Sequence, residues 1–266
     1  MRFCWEAMHQ VDPETALEAY RQLIRMVRGS GSPPERPMFQ LRFFESGGGK
    51  VAIAGTTTPL LTPCLLCLSD EVPVTAAGED LRHTAVYFLP AIINSSFTPE
   101  NVRDRIAEPE AFREMDLYWL RPFLDAGRLL LVGPATGQRI QELLDGLDRE
   151  LTEQIGDFWP CRSRSTFYEL LQLISRIHDN PERLEPADAG GDTEIQNVLT
   201  YLNAHYHLKV TIAELTGRFA INRTTLAEKF QRATGSTITE YLADIRVRMA
   251  CLLLRDTTLP VSEILQ

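Results

Sequence analysis

The stretch TIAELTGRFAINRTTLAEKFQRATG, residues 211–235, constrains the fold more than any other. Thr211 stands three residues before Glu214, the spacing of a capping box, in which side chain and backbone at a helix start satisfy each other's donors. Leu215 and Phe219 then point inward, Ile221 fills a corner, and Asn222 is a good N-cap for a second helix. Leu226 and Phe230, four apart, anchor that helix, and Gly235 supplies its stop. The pattern predicts two short helices around a tight corner, with Arg223, Thr224, Thr225, Ala227, Glu228, Gln231 and Arg232 facing outward. Hydroxyls and cations at a helix N-terminus suit a duplex, as donors for phosphate and small polar groups near base edges. Two antiparallel helices in a core, with their charges merely solvated, produce the same local pattern.

Charge distribution sharpens the question. The 266-residue chain carries a formal net charge of −9. Residues 193–266 hold eight Lys or Arg against seven Asp or Glu, whereas the remaining 192 residues hold nineteen against twenty-nine. A near-neutral segment is thus attached to an acidic body that repels phosphate and needs a different task.

That body divides by pattern. Residues 13–28 read as helix, with Leu17, Tyr20, Ile24 and Val27 on one face, and GSGSPPERP at 29–37 ends it. From there to residue 134 come short apolar runs between turn residues: MFQLRFF, KVAIAG, PCLLCL, TAVYFLP and RLLLVG. Several short strands in succession predict a small antiparallel barrel or sandwich over 1–134, interrupted by helix within 109–127. Residues 135–180 carry two helical stripes. The first is Ile140, Leu144, Leu147 and Leu151; the second is Phe167, Leu170, Leu171, Ile174 and Ile177. GDFWPC between them favours an antiparallel pair. The second stripe either packs on its own domain or also forms a dimerisation face. Residues 181–192 read as a linker, and 193–266 as helical throughout.

No run approaches the roughly 18 apolar residues of a membrane span, and the amino terminus has no basic start followed by an apolar stretch. Five cysteines at irregular spacing argue against a disulfide framework and fit a reducing, cytoplasmic setting. Cys64 and Cys67 are not a metal pair, because positions i and i+3 of a strand point to opposite faces. Only His83 falls in the strand-rich region. A metal-dependent enzyme therefore fails on ligand count, and no catalytic residue, metal or cofactor is assigned. Trp119, Phe158 and Trp159 read as core, and His205 and His207 as capping and packing residues.

Residues 194–264 resemble the DNA-binding domain of the AraC/XylS transcription regulators. The elements that carry the resemblance are the apolar–Glu–Leu start at 212–215, Leu226 with Phe230, and the Thr–Gly at 234–235. Beyond them stand Tyr241–Leu242, Arg246 with Ala250, Leu253–Leu254, and TTLPVSEI. Thr216 departs from the pattern, which has a small Ala there, so its hydroxyl needs a partner. More weakly, SGGGKVAIAGTTTPLL through TAVYFLP looks like the cupin-type sensor barrel that precedes such domains.

The resemblance implies an α+β chain: an N-terminal cupin-like β-barrel with a helical pair, then an all-α helix-turn-helix domain. It implies double-stranded promoter DNA, a small-molecule effector of unassigned site, a second copy in a homodimer, and RNA polymerase as partners. Base-edge candidates are Thr224, Ala227 and Glu228; Arg223, Thr225, Gln231 and Arg232 suit phosphate. The family has two helix–corner–helix units, and PVSEILQ resembles only the start of the second. The expectation is a truncated form, or a natural short form acting on intact subunits, that binds DNA weakly, with a frayed last turn and an exposed apolar side on the 238–255 helix. The alternative reading is a ligand-sensing or dimerisation protein that never touches DNA.

Overall fold

The computed structural model describes residues 13–29, 31–78, 80–106, 115–124, 129–179 and 193–256. Eight strands come first: β1 (Ile24–Arg28), β2 (Phe39–Ser46), β3 (Lys50–Ile53), β4 (Thr56–Pro59), β5 (Cys64–Leu68), β6 (Val74–Ala77), β7 (Arg82–Phe88) and β8 (Leu129–Leu131). They form two antiparallel sheets, ordered β1-β7-β2-β5-β8 and β4-β3-β6. Of the expected barrel or sandwich, the two sheets make the sandwich form, with no closed barrel among the described residues. Closure needs the two edges of a sheet to find each other, and the small sheet pairs only within itself.

Strand alternation explains how the large sheet feeds two cores. Phe39, Leu41 and Phe43 of β2, with Val86 and Phe88 of β7, face helices α5 (Pro134–Glu153) and α6 (Trp159–Asp179). Phe44, Cys64, Leu66 and Leu68 face the other way, toward Val51, Leu60 and Leu61. Cys64 and Cys67 are buried in different cores, as the strand period requires. Cys64, Cys67 and Cys251 are free thiols.

Helix α1 (Pro13–Arg21) stops earlier than its apolar period suggests. Residues 24–28 instead pair with β7, from Ile24↔Phe88 to Arg28↔Thr84. Non-local ladder bonds outweigh the local period here, and Tyr20 and Ile24 reach the core from either conformation. Helix α2 (Pro99–Ile106) lacked a recognised signal. The helix expected within 109–127 is represented by two single turns, α3 (Met115–Tyr118) and α4 (Arg121–Leu124). Pro122 has no N–H to donate back to Tyr118, which explains the break.

The second stripe packs on its own domain, as the first of its two readings has it. Phe167, Leu170, Leu171 and Ile174 are fully sealed in the chain's own core, and Ile177 packs against it. The outer side of α6 instead presents Arg162, Ser165, Glu169, Gln172 and Arg176 to solvent.

The linker at 181–192 lies outside the described residues. Beyond it come α7 (Thr193–His205), α8 (Ile212–Phe219), α9 (Arg223–Thr234) and α10 (Ile238–Asp256). Their core is Ile195, Val198, Leu199, Leu202, Leu215, Ile221, Leu226, Phe230, Ile238 and Leu242. One turn further along α10, Ile245 and Met249 leave this core and enter the one between the sheets, beside Phe44, Leu60, Leu66 and Leu131. Burying each is worth about 1.5–3 kcal/mol. Ile245 and Met249 of α10 are thus covered, whereas Val247 is open to solvent; the side chains of residues 252–256, on which the expected exposed apolar side also falls, lie outside those described. The expected frayed end, residues 257–266, lies outside the described residues. No helix among those described is long and apolar enough to cross a membrane.

Candidate nucleic-acid interface

Local chemistry sets the corner between α8 and α9. The Thr211 hydroxyl accepts from the Glu214 amide, and the Glu214 carboxylate accepts from the Thr211 amide, completing the predicted capping box. Glu214 also accepts from the Tyr201 hydroxyl, which ties α8 to α7. That hydrogen bond, followed by the Thr211 amide and the charges of His205 and Arg218, holds the carboxyl below its ordinary value of 4.5. Thr216 finds the partner it needs within its own helix, donating to the Ala213 carbonyl at 3.0 Å. Helix α8 ends on Ala220 in the left-handed region, φ 52°, which turns the chain sharply. Ile221 plugs the corner, and Asn222 Oδ1 accepts from the Thr225 amide at 2.8 Å to start α9. Gly235, φ 74°, closes that helix by donating to the Gln231 carbonyl at 2.8 Å.

Leu226 and Phe230 are wholly buried, which fixes how α9 is rotated. Arg223, Thr224, Ala227, Glu228, Gln231 and Arg232 are exposed, and Thr225 is half-buried. Thr224, Ala227, Glu228 and Gln231 follow the i, i+3, i+4, i+7 spacing of one stripe. Arg223, Glu228 and Arg232 make no ion pair among the described residues, so their charges face outward uncommitted. Lys229 differs: its ammonium meets Glu194 on α7 at 2.6 Å and serves the bundle. Arg246 is likewise committed, donating to the Tyr206 and Leu208 carbonyls at 2.8 and 2.9 Å and fixing the chain between α7 and α8. Six of the seven predicted residues are therefore exposed together on one helix whose opposite side is sealed, and Thr225 is half-buried.

A second polar feature was missed by sequence reasoning. Between the sheets lies a cavity of about 390 Å³ whose lining includes Arg42, His83 and Tyr87. The signal was available: Gln40 and Arg42 alternate with Phe39, Leu41 and Phe43, placing polar groups on the second face of a central strand. No group of three His, Cys, Asp or Glu residues suited to a metal occurs among the described residues.

No family model matches the chain. A Streptomyces antibioticus protein described as an AraC-like transcription regulator is 29% identical over 139 residues, which is 50% of this chain. The match spans 44% of that relative's own length. Among solved structures, ToxT from Vibrio cholerae matches 91% of this chain and 86% of its own, at 11% identity and a TM-score of 0.33. The AraC-like transcriptional activator CuxR matches 82% of this chain and 69% of its own, at 13% identity and a TM-score of 0.32. In sequence, over half its length, the chain is similar to an AraC-like transcription regulator.

Proposed function

We propose that this protein is a DNA-binding regulator of transcription that presents α9 to the major groove. The observation that carries the reading is the uncommitted stripe on α9, opposite the buried Leu226 and Phe230. Thr224, Ala227 and Glu228 are placed along it for base edges, Glu228 as an acceptor for a cytosine amino group. Arg223, Thr225, Gln231 and Arg232 flank them for phosphate. The sequence similarity to an AraC-like regulator supports the same reading. The strand-rich half is then the sensing half, responding to a small molecule, and Ile245 and Met249 join it to the reading half. Only two uncommitted arginines lie on the ridge, so affinity for a duplex is modest and its salt dependence shallow.

The test is selection of duplexes from a random pool by the purified chain, followed by anisotropy titrations over a salt series. An enriched motif bound with a log–log salt slope near −2 is expected, since each neutralised phosphate contributes roughly 0.9. A variant carrying both R223Q and R232Q that keeps wild-type affinity and slope refutes the assignment.

A further inference from the structure

Resting on the reading of the strand-rich half as a sensor, we propose that the cavity between the sheets binds a small monocarboxylate. Its carboxylate is held by Arg42, Tyr87 and His83, and its apolar body lies against Val27, Val74 and Leu81.

The argument begins with incomplete filling. At the β5 end, the space between the sheets is packed by Phe44, Leu66 and Leu68. Toward β7 the inward positions are His83, Ala85 and Tyr87, faced by Ala76, Ala77 and Gly78, and the small residues leave room. A cavity of about 390 Å³ results, within the range of small-molecule sites.

Charge gives the cavity its preference. Arg42 is partly buried, and burial lowers its pKa with only the Tyr87 hydroxyl opposing. It forms no ion pair among the described residues, and no Asp or Glu among them lines the cavity. A cation removed from water without a counter-ion is destabilising, and an anion in the cavity relieves that cost.

Part of the donor capacity is also unused. The Arg42 Nε and Nη2 groups donate to Gln40 Oε1 at 3.4 and 3.2 Å, and Nη2 also donates to the Tyr87 hydroxyl oxygen at 3.1 Å. Gln40 therefore orients one edge of the guanidinium, while Nη1 has no hydrogen-bond partner among the described residues. Tyr87 accepts from Arg42 and has its own proton left to give. His83 Nδ1 is buried with no partner among the described residues, a rarity that calls for an explanation. Burial first, and the Arg42 charge second, hold the imidazole below 6.5 and so neutral at pH 7, where its Nδ1–H tautomer donates without adding charge.

One guanidinium, one phenol and one neutral imidazole match one negative charge. A planar carboxylate accepts the guanidinium and has lone pairs left for the other two. A phosphate dianion would carry a second charge into the same partly desolvated space. A neutral polyol would leave the Arg42 charge without a counter-ion.

Calorimetric titration of the full chain, without DNA, tests this with straight-chain acids from butyrate to octanoate. Their neutral amides and inorganic phosphate are the controls. Saturable binding of at least one acid is expected, at least tenfold tighter than its amide and with phosphate failing to compete. Arg42→Gln should remove that preference, and Tyr87→Phe should weaken it several-fold with the melting temperature retained. If R42Q does not fold, Y87F together with a shift of the His83 ring resonances on adding the acid decides the matter. Equal affinity for acid and amide, stronger binding of phosphate, or no acid binding tighter than about 1 mM overturns the inference. Duplex binding by the same preparation separates the two readings: carboxylate failure with DNA binding intact sinks this inference alone, and the reverse sinks the regulator alone.

Discussion

Thr211 and Glu214 cap α8 reciprocally, the hydroxyl accepting from the Glu214 amide at 3.2 Å and the carboxylate from the Thr211 amide at 3.5 Å. Because the same carboxylate accepts from Tyr201, a local cap also fastens α8 to α7. Thr211→Ala should cost about 1 kcal/mol in a urea titration. Glu214 adds a pH signature. Its folded-state carboxyl titrates below 4.5, so its stabilisation is full above the ordinary value and is lost as pH falls through the depressed one. The stability gap between wild type and Glu214→Gln should be open at pH 7 and narrow as pH falls below 4.5. A gap constant with pH refutes the ionic part of the cap.

Glu228 and Arg232 lie on the same exposed ridge but should fail differently. Glu228→Gln is expected to relax the preference at one base pair by about 1–3 kcal/mol of discrimination. Arg232→Gln should weaken all sequences alike and reduce the salt slope by about 0.9. Neither change should move the melting temperature, because both side chains are exposed. Competition titrations on matched and single-mismatch duplexes read both effects. Similar changes in specificity from both variants would dismiss the assigned roles.

Ile245 belongs to α10 and yet packs among strand residues. Ile245→Ala should cost about 2–5 kcal/mol. Hydrogen exchange should quicken at the amides of Phe44 and Leu66 as well as along α10. Faster exchange confined to α10 would show that the two halves do not share this core.

Cysteine reactivity reports the two faces of the large sheet. Burial pushes the Cys64 and Cys67 thiols up, disfavouring the reactive thiolate, whereas Cys251 is exposed. A colorimetric thiol reagent should label Cys251 at once, and Cys64 and Cys67 only on unfolding. Prompt labelling of all three would contradict the packing of β5.

What was legible in the sequence had local causes. The capping box, the Asn222 cap, the Gly235 stop and the inward pair Leu226–Phe230 each depend on residues within one or two turns. The strands β2, β3, β5, β7 and β8 were visible as apolar runs between turns. Cys64 and Cys67 diverge because a strand alternates, whatever surrounds it.

Other outcomes required the whole chain. Ile24–Arg28 fits a helical period or a strand equally well, and only the edge of β7 decides between them. The stripe from Phe167 to Ile174 shows that a helix must bury one side, but not against what; the large sheet supplies the partner. Polar Arg42 and small Ala85 become a cavity only when β6 lies opposite. Sequence by itself therefore determined the caps, the corner and the outward residues of α9, since short-range hydrogen bonds and periodicity set them. Tertiary structure alone decided the two open sheets, the sealed stripe and the core shared through Ile245 and Met249. Those depend on burial between residues far apart in the chain, which no local pattern encodes.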